Sequence, residues 1–115
     1  MNTVLIGRAG EDMATRYLVK NGYKILKRNY RAAGGEIDII AKRGHHLAFV
    51  EVKCRKDTQF GYAAEAVNLA KQKRIIKAAK AFIVSYTDYE DISFDVCEVY
   101  TKERRVNYIE DAFTT

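Results

Sequence analysis

Apolar residues recur along this chain first at helical spacing, then at strand spacing, then at helical spacing again. Ile6, Ala9, Met13 and Tyr17 fall three to four apart, with Leu18 beside the last, which predicts a helix from about Thr3 or Gly7 to Asn21 with that stripe facing a core. Gly22 stops it. From Tyr23 to Arg31, strand-forming residues stand among dense basic charge, as in an edge strand whose cations blunt pairing with other sheets. Ala32-Ala33-Gly34-Gly35 then turns the chain into a hairpin. Its strands carry Ile37, Ile39 and Ile40, then Leu47, Phe49, Val50 and Val52, with Lys42-Arg43-Gly44-His45-His46 between them.

Residues 56–62 read as a loop in which Phe60, Gly61 and Tyr62 are expected either to border a substrate groove or simply to connect elements. Helical spacing returns over about Ala63 to Tyr86, with a break near Asn68 that can cap a second segment. Its core stripe is Ile75, Ile76, Ala79, Phe82, Ile83 and Tyr86. An acidic loop, Thr87 to Asp91, leads to a strand from Ser93 to Tyr100 and a short last strand from Val106 to Ile109, with Ala112 and Phe113 packing the tail. The order is α-β-β-β-α-β plus that last strand, an α/β domain with a sheet flanked by helices.

The hairpin breaks its own apolar pattern with Glu36 and Asp38 on one strand and Glu51 and Lys53 on the other. A carboxylate buried without a partner is costly, so residues of this kind in strand interiors need an explanation. A hairpin centred on Gly44-His45 opposes residues whose numbers sum to 89. Ile40 then faces Phe49, Asp38 faces Glu51, Glu36 faces Lys53, and all six share one side of the ribbon. Like charges directly opposed across a strand pair repel. A cation between the two carboxylates removes that repulsion, and Mg²⁺ held by two carboxylates with water and phosphate oxygens fits, Mn²⁺ being the alternative. Lys53 lies one step along the same face, where it can stabilise charge on a reacting phosphate. The competing explanation is a salt-bridged, solvated face in which Glu36 pairs with Lys53; it leaves Asp38 against Glu51 unexplained.

The chain has 115 residues, enough for one domain with its own core, and 48% of them are hydrophobic. A net charge of +5 favours polyanionic partners. The N-terminus has too short an apolar run and too early an acid for a signal peptide, and no stretch approaches a membrane span. The two cysteines, Cys54 and Cys97, are expected as reduced, buried small hydrophobes in a cytoplasmic protein. His45 and His46 are expected as exposed turn residues, since adjacent residues in a turn rarely converge on one ion. Lys71, Lys73, Arg74, Lys77 and Lys80 crowd one helix without an acid among them, which leans toward phosphate contacts. Gln72 is a polar group in the same segment. Glu11 reads from spacing alone as an acid favoured by the N-terminal half of its helix. For Asp95 the pattern leaves both an exposed strand residue and a buried partner open.

Glu11, G-E-I-D-I-I-A from Gly35 to Ala41, and F-V-E-V-K-C-R from Phe49 to Arg55 resemble the YraN-like family of small bacterial proteins. That family belongs to the restriction-endonuclease-like superfamily and is similar to archaeal Holliday-junction resolvases. The resemblance extends from Gly7-Arg8 through Lys71-Gln72-Lys73-Arg74 and Phe94-Asp95-Val96 to Ala112-Phe113. It implies a central mixed sheet, with Asp38 and Glu51 as metal ligands, Lys53 as catalytic lysine, Glu11 as a further acid at the metal and Gln72 aimed at the site. The proline that often precedes the first acid in the superfamily is replaced by Ile37. The expected activity is Mg²⁺-dependent hydrolysis of DNA, on branched or recombining structures. Lys71, Lys73, Arg74, Lys77, Arg55 and Arg31 would hold the phosphate backbone, and a homodimer would supply the second cut of a junction. The alternative is a nucleic-acid-binding or assembly module that keeps the fold without turnover.

Overall fold

A computed structural model describes residues 3–55 and 67–115, with side chains from residue 8 onward. Helix α1 (Thr3–Lys20) is followed by β1 (Lys24–Ala32), β2 (Gly35–Arg43), β3 (His46–Arg55), α2 (Leu69–Ser85), β4 (Asp91–Tyr100) and β5 (Arg105–Phe113). The five strands lie in chain order in one sheet. The pairs β1-β2, β2-β3 and β4-β5 are antiparallel, while β3-β4 is parallel. Parallel neighbours need a crossover, and α2 lies in that connection. The mixed sheet and the element order are those expected, and β1 is an edge strand as its basic sequence implies.

Alternation along the strands sorts the core into two layers. On one face Ile40, Leu47, Phe49, Phe94 and Val96 pack with Ile75, Ala78, Ala79 and Phe82 of α2. On the other, Ile39, Ala41, Ala48, Val50, Cys97 and Val99 pack with Ala14 and Leu18 of α1. The buried stripe of α1 runs through Gly10, Ala14 and Leu18, and Ala9 is exposed, one residue round from the predicted stripe. Gly10 explains the rotation: a Cβ there would stand 2.1 Å from Cys54 Sγ, so the helix makes its closest approach on that line. The opposite face has a matching notch. A Cβ on Gly35 would stand 2.0 Å from the carbonyl oxygen of Arg74, which puts the start of β2 against the backbone of α2.

Asn68 caps α2 as its sequence predicts, its side-chain oxygen accepting from Lys71 N at 2.9 Å. The last strand spans nine residues, longer than the four expected. Asp95 provides the reason. Fully buried at a register shift in β4, it accepts from Asp111 N at 3.0 Å and from the Tyr108 hydroxyl at 2.5 Å, stitching the far half of β5 to the sheet. Two further expectations are corrected. Cys54 is exposed, because its side chain points past the end of the apolar layer toward α1; Cys97 is buried as expected. His46 is not a free turn residue: its ring bridges Asp91 Oδ1 at 2.6 Å and Ser93 Oγ at 2.8 Å, tying the starts of the parallel strands together. Among the described residues no helix is long and apolar enough to cross a membrane. The loop expected over residues 56–62 and the start of the helix expected over residues 63–66 lie outside the described residues.

Candidate active site at the open end of the hairpin

The β2–β3 ladder keeps the predicted register, pairing Arg43 with His46, Ile40 with Phe49 and Ile39 with Val50, and ends there. Beyond that pair the strands fork, and the Asp38 carboxylate fills the gap. Its Oδ2 accepts from Val52 N at 2.8 Å, so the side chain lies between the strands and takes the place of a backbone partner. This corrects the expectation that Glu36, Asp38 and Ile40 share one face. Ile37 and Ile40 both pack in the α2 layer while Ile39 packs in the α1 layer, so β2 loses its alternation at Asp38. The neighbouring strand shows why. Asn29, between the pairs Arg28–Ile39 and Tyr30–Ile37, has φ of 52°, and that left-handed residue kinks β1 across from Asp38. Glu36 turns to Arg31, at 3.6 Å, instead of Lys53.

On β3 the alternation holds, and Glu51 points to the α2 side with only 5% of its surface exposed. Lys71, in the first turn of α2, ion-pairs with Glu51 Oε1, and Lys53 Nζ stands 3.9 Å from the same oxygen. Burial, reinforced by the negative charge of Glu51, pushes the Asp38 carboxyl up to about 7, against the pull of Val52 N–H and Lys71. Burial lowers Lys53, and the adjacent Lys71 lowers it further. Burial also works to lower Lys71, but the pair with Glu51 outweighs it and raises that ammonium.

Glu11 reaches this region from α1. Its Oε1 accepts from Arg28 Nε at 3.0 Å and from Asn29 Nδ2 at 2.9 Å, and Arg28 also holds Asp12 at 2.8 Å. The charge of Glu11 adds to the upward shift of Asp38, which puts it within electrostatic reach of the fork. Gln72 is used elsewhere: its Nε2 donates to Val67 O at 3.1 Å, bracing the chain just before α2. Among the described residues no three His, Cys, Asp or Glu side chains form a ligand cluster. Asp38 and Glu51 offer two hard carboxylates, a donor set that suits Mg²⁺ or Mn²⁺ with water and phosphate oxygens supplying the remaining positions.

The basic residues divide. Lys73, Arg74 and Lys77 are exposed along α2. Arg31 and Arg74 line an open hollow with Gly34 and Gly35 beside the fork. Arg55 instead packs inward, its Nε 3.5 Å from the buried Glu98. Two residues of the site were not singled out as such by sequence. Lys71 was grouped with its exposed neighbours, since nothing local marks a contact to a distant strand. Asn29 was legible in principle, because an asparagine inside a strand pattern is among the few residues that accept positive φ readily.

The fold and site together define a class: an α/β domain with a mixed five-stranded sheet, whose central hairpin forks around two carboxylates and two lysines. Residues 10–99 match the family described as "Uncharacterised protein family UPF0102", and the chain belongs to that family, the YraN-like family its motifs resemble. It is 46% identical to a UPF0102 protein of Chloroherpeton thalassium, over 100% of this chain and 98% of that one. It is 46% identical to a UPF0102 protein of Clostridioides difficile, over 98% and 100%. A UPF0102 protein of Caldicellulosiruptor bescii is 43% identical over the same shares.

Proposed function

We propose that this protein is a Mg²⁺-dependent phosphodiesterase acting on DNA, with Mn²⁺ able to substitute and branched or recombining structures as its substrates. The observation that carries this reading is the meeting of Asp38 and Glu51 at the hairpin fork, with Lys53 beside them. A bound divalent ion would activate water and neutralise charge on the phosphate. Asp38 and Glu51 would hold that ion by their carboxylates. The Val52 N–H fixes one oxygen of Asp38 and leaves the other without that bond. Lys53, kept partly buried, presents an ammonium to the phosphate oxygens. Glu11, oriented by Arg28 and Asn29, adds negative potential from the α1 side and orients water there. Gln72 shapes the entrance by bracing the start of α2. Arg31, Lys73, Arg74 and Lys77 grip phosphates without reading bases, and a second copy of the chain supplies the second cut.

One observation favours the alternative, a nucleic-acid-binding module without turnover: Glu51 already has a cationic partner in Lys71. Incubation with duplex, flap, single-stranded and four-way DNA in Mg²⁺ or Mn²⁺ separates the two. The enzyme reading expects cleavage of at least one substrate, reduced about a thousandfold by Asp38→Ala or Glu51→Ala. Salt-sensitive binding with no metal-dependent cleavage would establish the module instead. Cleavage that survives both substitutions would move the site elsewhere.

A further inference from the structure

We propose that Lys71 is a built-in competitor for the metal: its ammonium and a divalent ion contend for the same oxygen of Glu51. This rests on the reading of Asp38 and Glu51 as ligands and adds a residue that sets how tightly they bind. Glu51 is 5% exposed and cannot turn its carboxylate to solvent for compensation. Its Oε1 is held by Lys71 and approached by Lys53 at 3.9 Å, so an ion that ligates Glu51 through that oxygen must take it from Lys71. The position of Lys71 is not accidental flexibility. Asn68 accepts from its backbone N–H at 2.9 Å, which fixes the first turn of α2. The bare Cα of Gly35, where a Cβ would stand 2.0 Å from the Arg74 carbonyl oxygen, lets the start of α2 lie close to β2.

With both acids ionised, Asp38, Glu51, Lys53 and Lys71 sum to zero, so the four groups are balanced without an ion. A divalent ion adds two positive charges, and a phosphate carrying two negative charges at the peak of reaction restores balance. The set is matched to metal and reacting phosphate together, not to metal alone. Lys71 therefore raises the concentration of metal needed in the absence of substrate. Its side chain is 34% exposed, so it has room to leave without unpacking the core.

The test is calorimetric titration of Mn²⁺ into five proteins: the natural chain, Lys71→Met, Lys71→Gln, Lys80→Met as a control of equal charge on the exposed side of the same helix, and Asp38→Asn. Lys71→Met is expected to bind Mn²⁺ roughly five- to tenfold tighter, the effect of removing one partly exposed competing charge. Lys80→Met should match the natural chain, and Asp38→Asn should lose most of the binding. Lys71→Gln, checked by melting, guards against an artefact of the methionine. Equal or weaker binding by both Lys71 variants overturns this proposal alone, as does an equal gain in Lys80→Met. No binding by any of the proteins overturns it together with the metal reading.

Discussion

Four carboxylates are buried or half-buried in one sheet, and they fall into two pairs with opposite solutions. Asp95 and Glu98 of β4 are answered mainly by β5, through the Tyr108 hydroxyl and Asp111 N for the first and Asn107 Nδ2 at 2.9 Å for the second. Arg55 adds a cation beside Glu98. Burial raises Asp95, and its hydrogen bonds hold the rise back. Asp38 and Glu51 sit where the ladder ends, repel each other, and rely on lysines reaching in from β3 and α2. Acids fixed by backbone and neutral donors hold the sheet together. Acids answered by exchangeable ammonium groups stay available to a ligand, and the energetic strain of keeping them is a mark of function.

Asp38→Asn should break the contrast most sharply. It removes the charge but keeps an oxygen for Val52 N–H, so on the proposed function metal binding and turnover should be lost while the fold gains. The folded carboxyl titrates at about 7, above its ordinary value of 3.8, so folding favours the protonated form. Its contribution is fully present below pH 4 and lost as pH rises through 7. Urea unfolding of the natural chain at pH 5, 6, 7 and 8 should show this decline, and Asp38→Asn should lack it. The variant ends on the order of 2–4 kcal/mol more stable at pH 8. A variant less stable at pH 8 would mean that Asp38 is a structural acid like Asp95.

Asp95→Ala should do the reverse. It strands the Tyr108 hydroxyl and Asp111 N, costing about 2–4 kcal/mol in the same unfolding measurement. Mn²⁺ affinity should stay unchanged. Gly35→Ala should cost about 1–3 kcal/mol, because the new methyl meets backbone that can move only by shifting α2. It should also weaken the control that Lys71 exerts on Glu51. Gly10→Ala is the smallest change, about 1 kcal/mol, since the clash is with a thiol that can rotate away.

The sequence exposes the hairpin well because a glycine turn and a two-residue period together fix register, and the ladder follows it pair by pair as far as Ile39 and Val50. Side-chain direction beyond that point was not legible, since the irregularity at Asp38 arises with Asn29 in another strand. The length of β5 was hidden for a similar reason. Glu110 and Asp111 look like the end of a strand, and the hydrogen bond that keeps them in the sheet is donated by Asp111 N to Asp95. Acids and Lys53 could be found because their spacing along two adjacent strands carries the signal. Lys71 could not, because its meeting with Glu51 depends on how closely a helix packs on a sheet, an approach that leaves no room for a Cβ at Gly35.

The first turn of α2 has a consequence outside the site. It contains no acid, and Lys71, Lys73 and Arg74 stand at the end of the helix where the peptide dipoles already concentrate positive charge. An isolated helix with this start would fray from that end. Any polyanion laid across it relieves the repulsion, and by mass action whatever binds the folded form raises its melting temperature. On the proposed function, a panel of nucleic acids ranked by melting shift at fixed salt should sort candidate substrates before any product is detected.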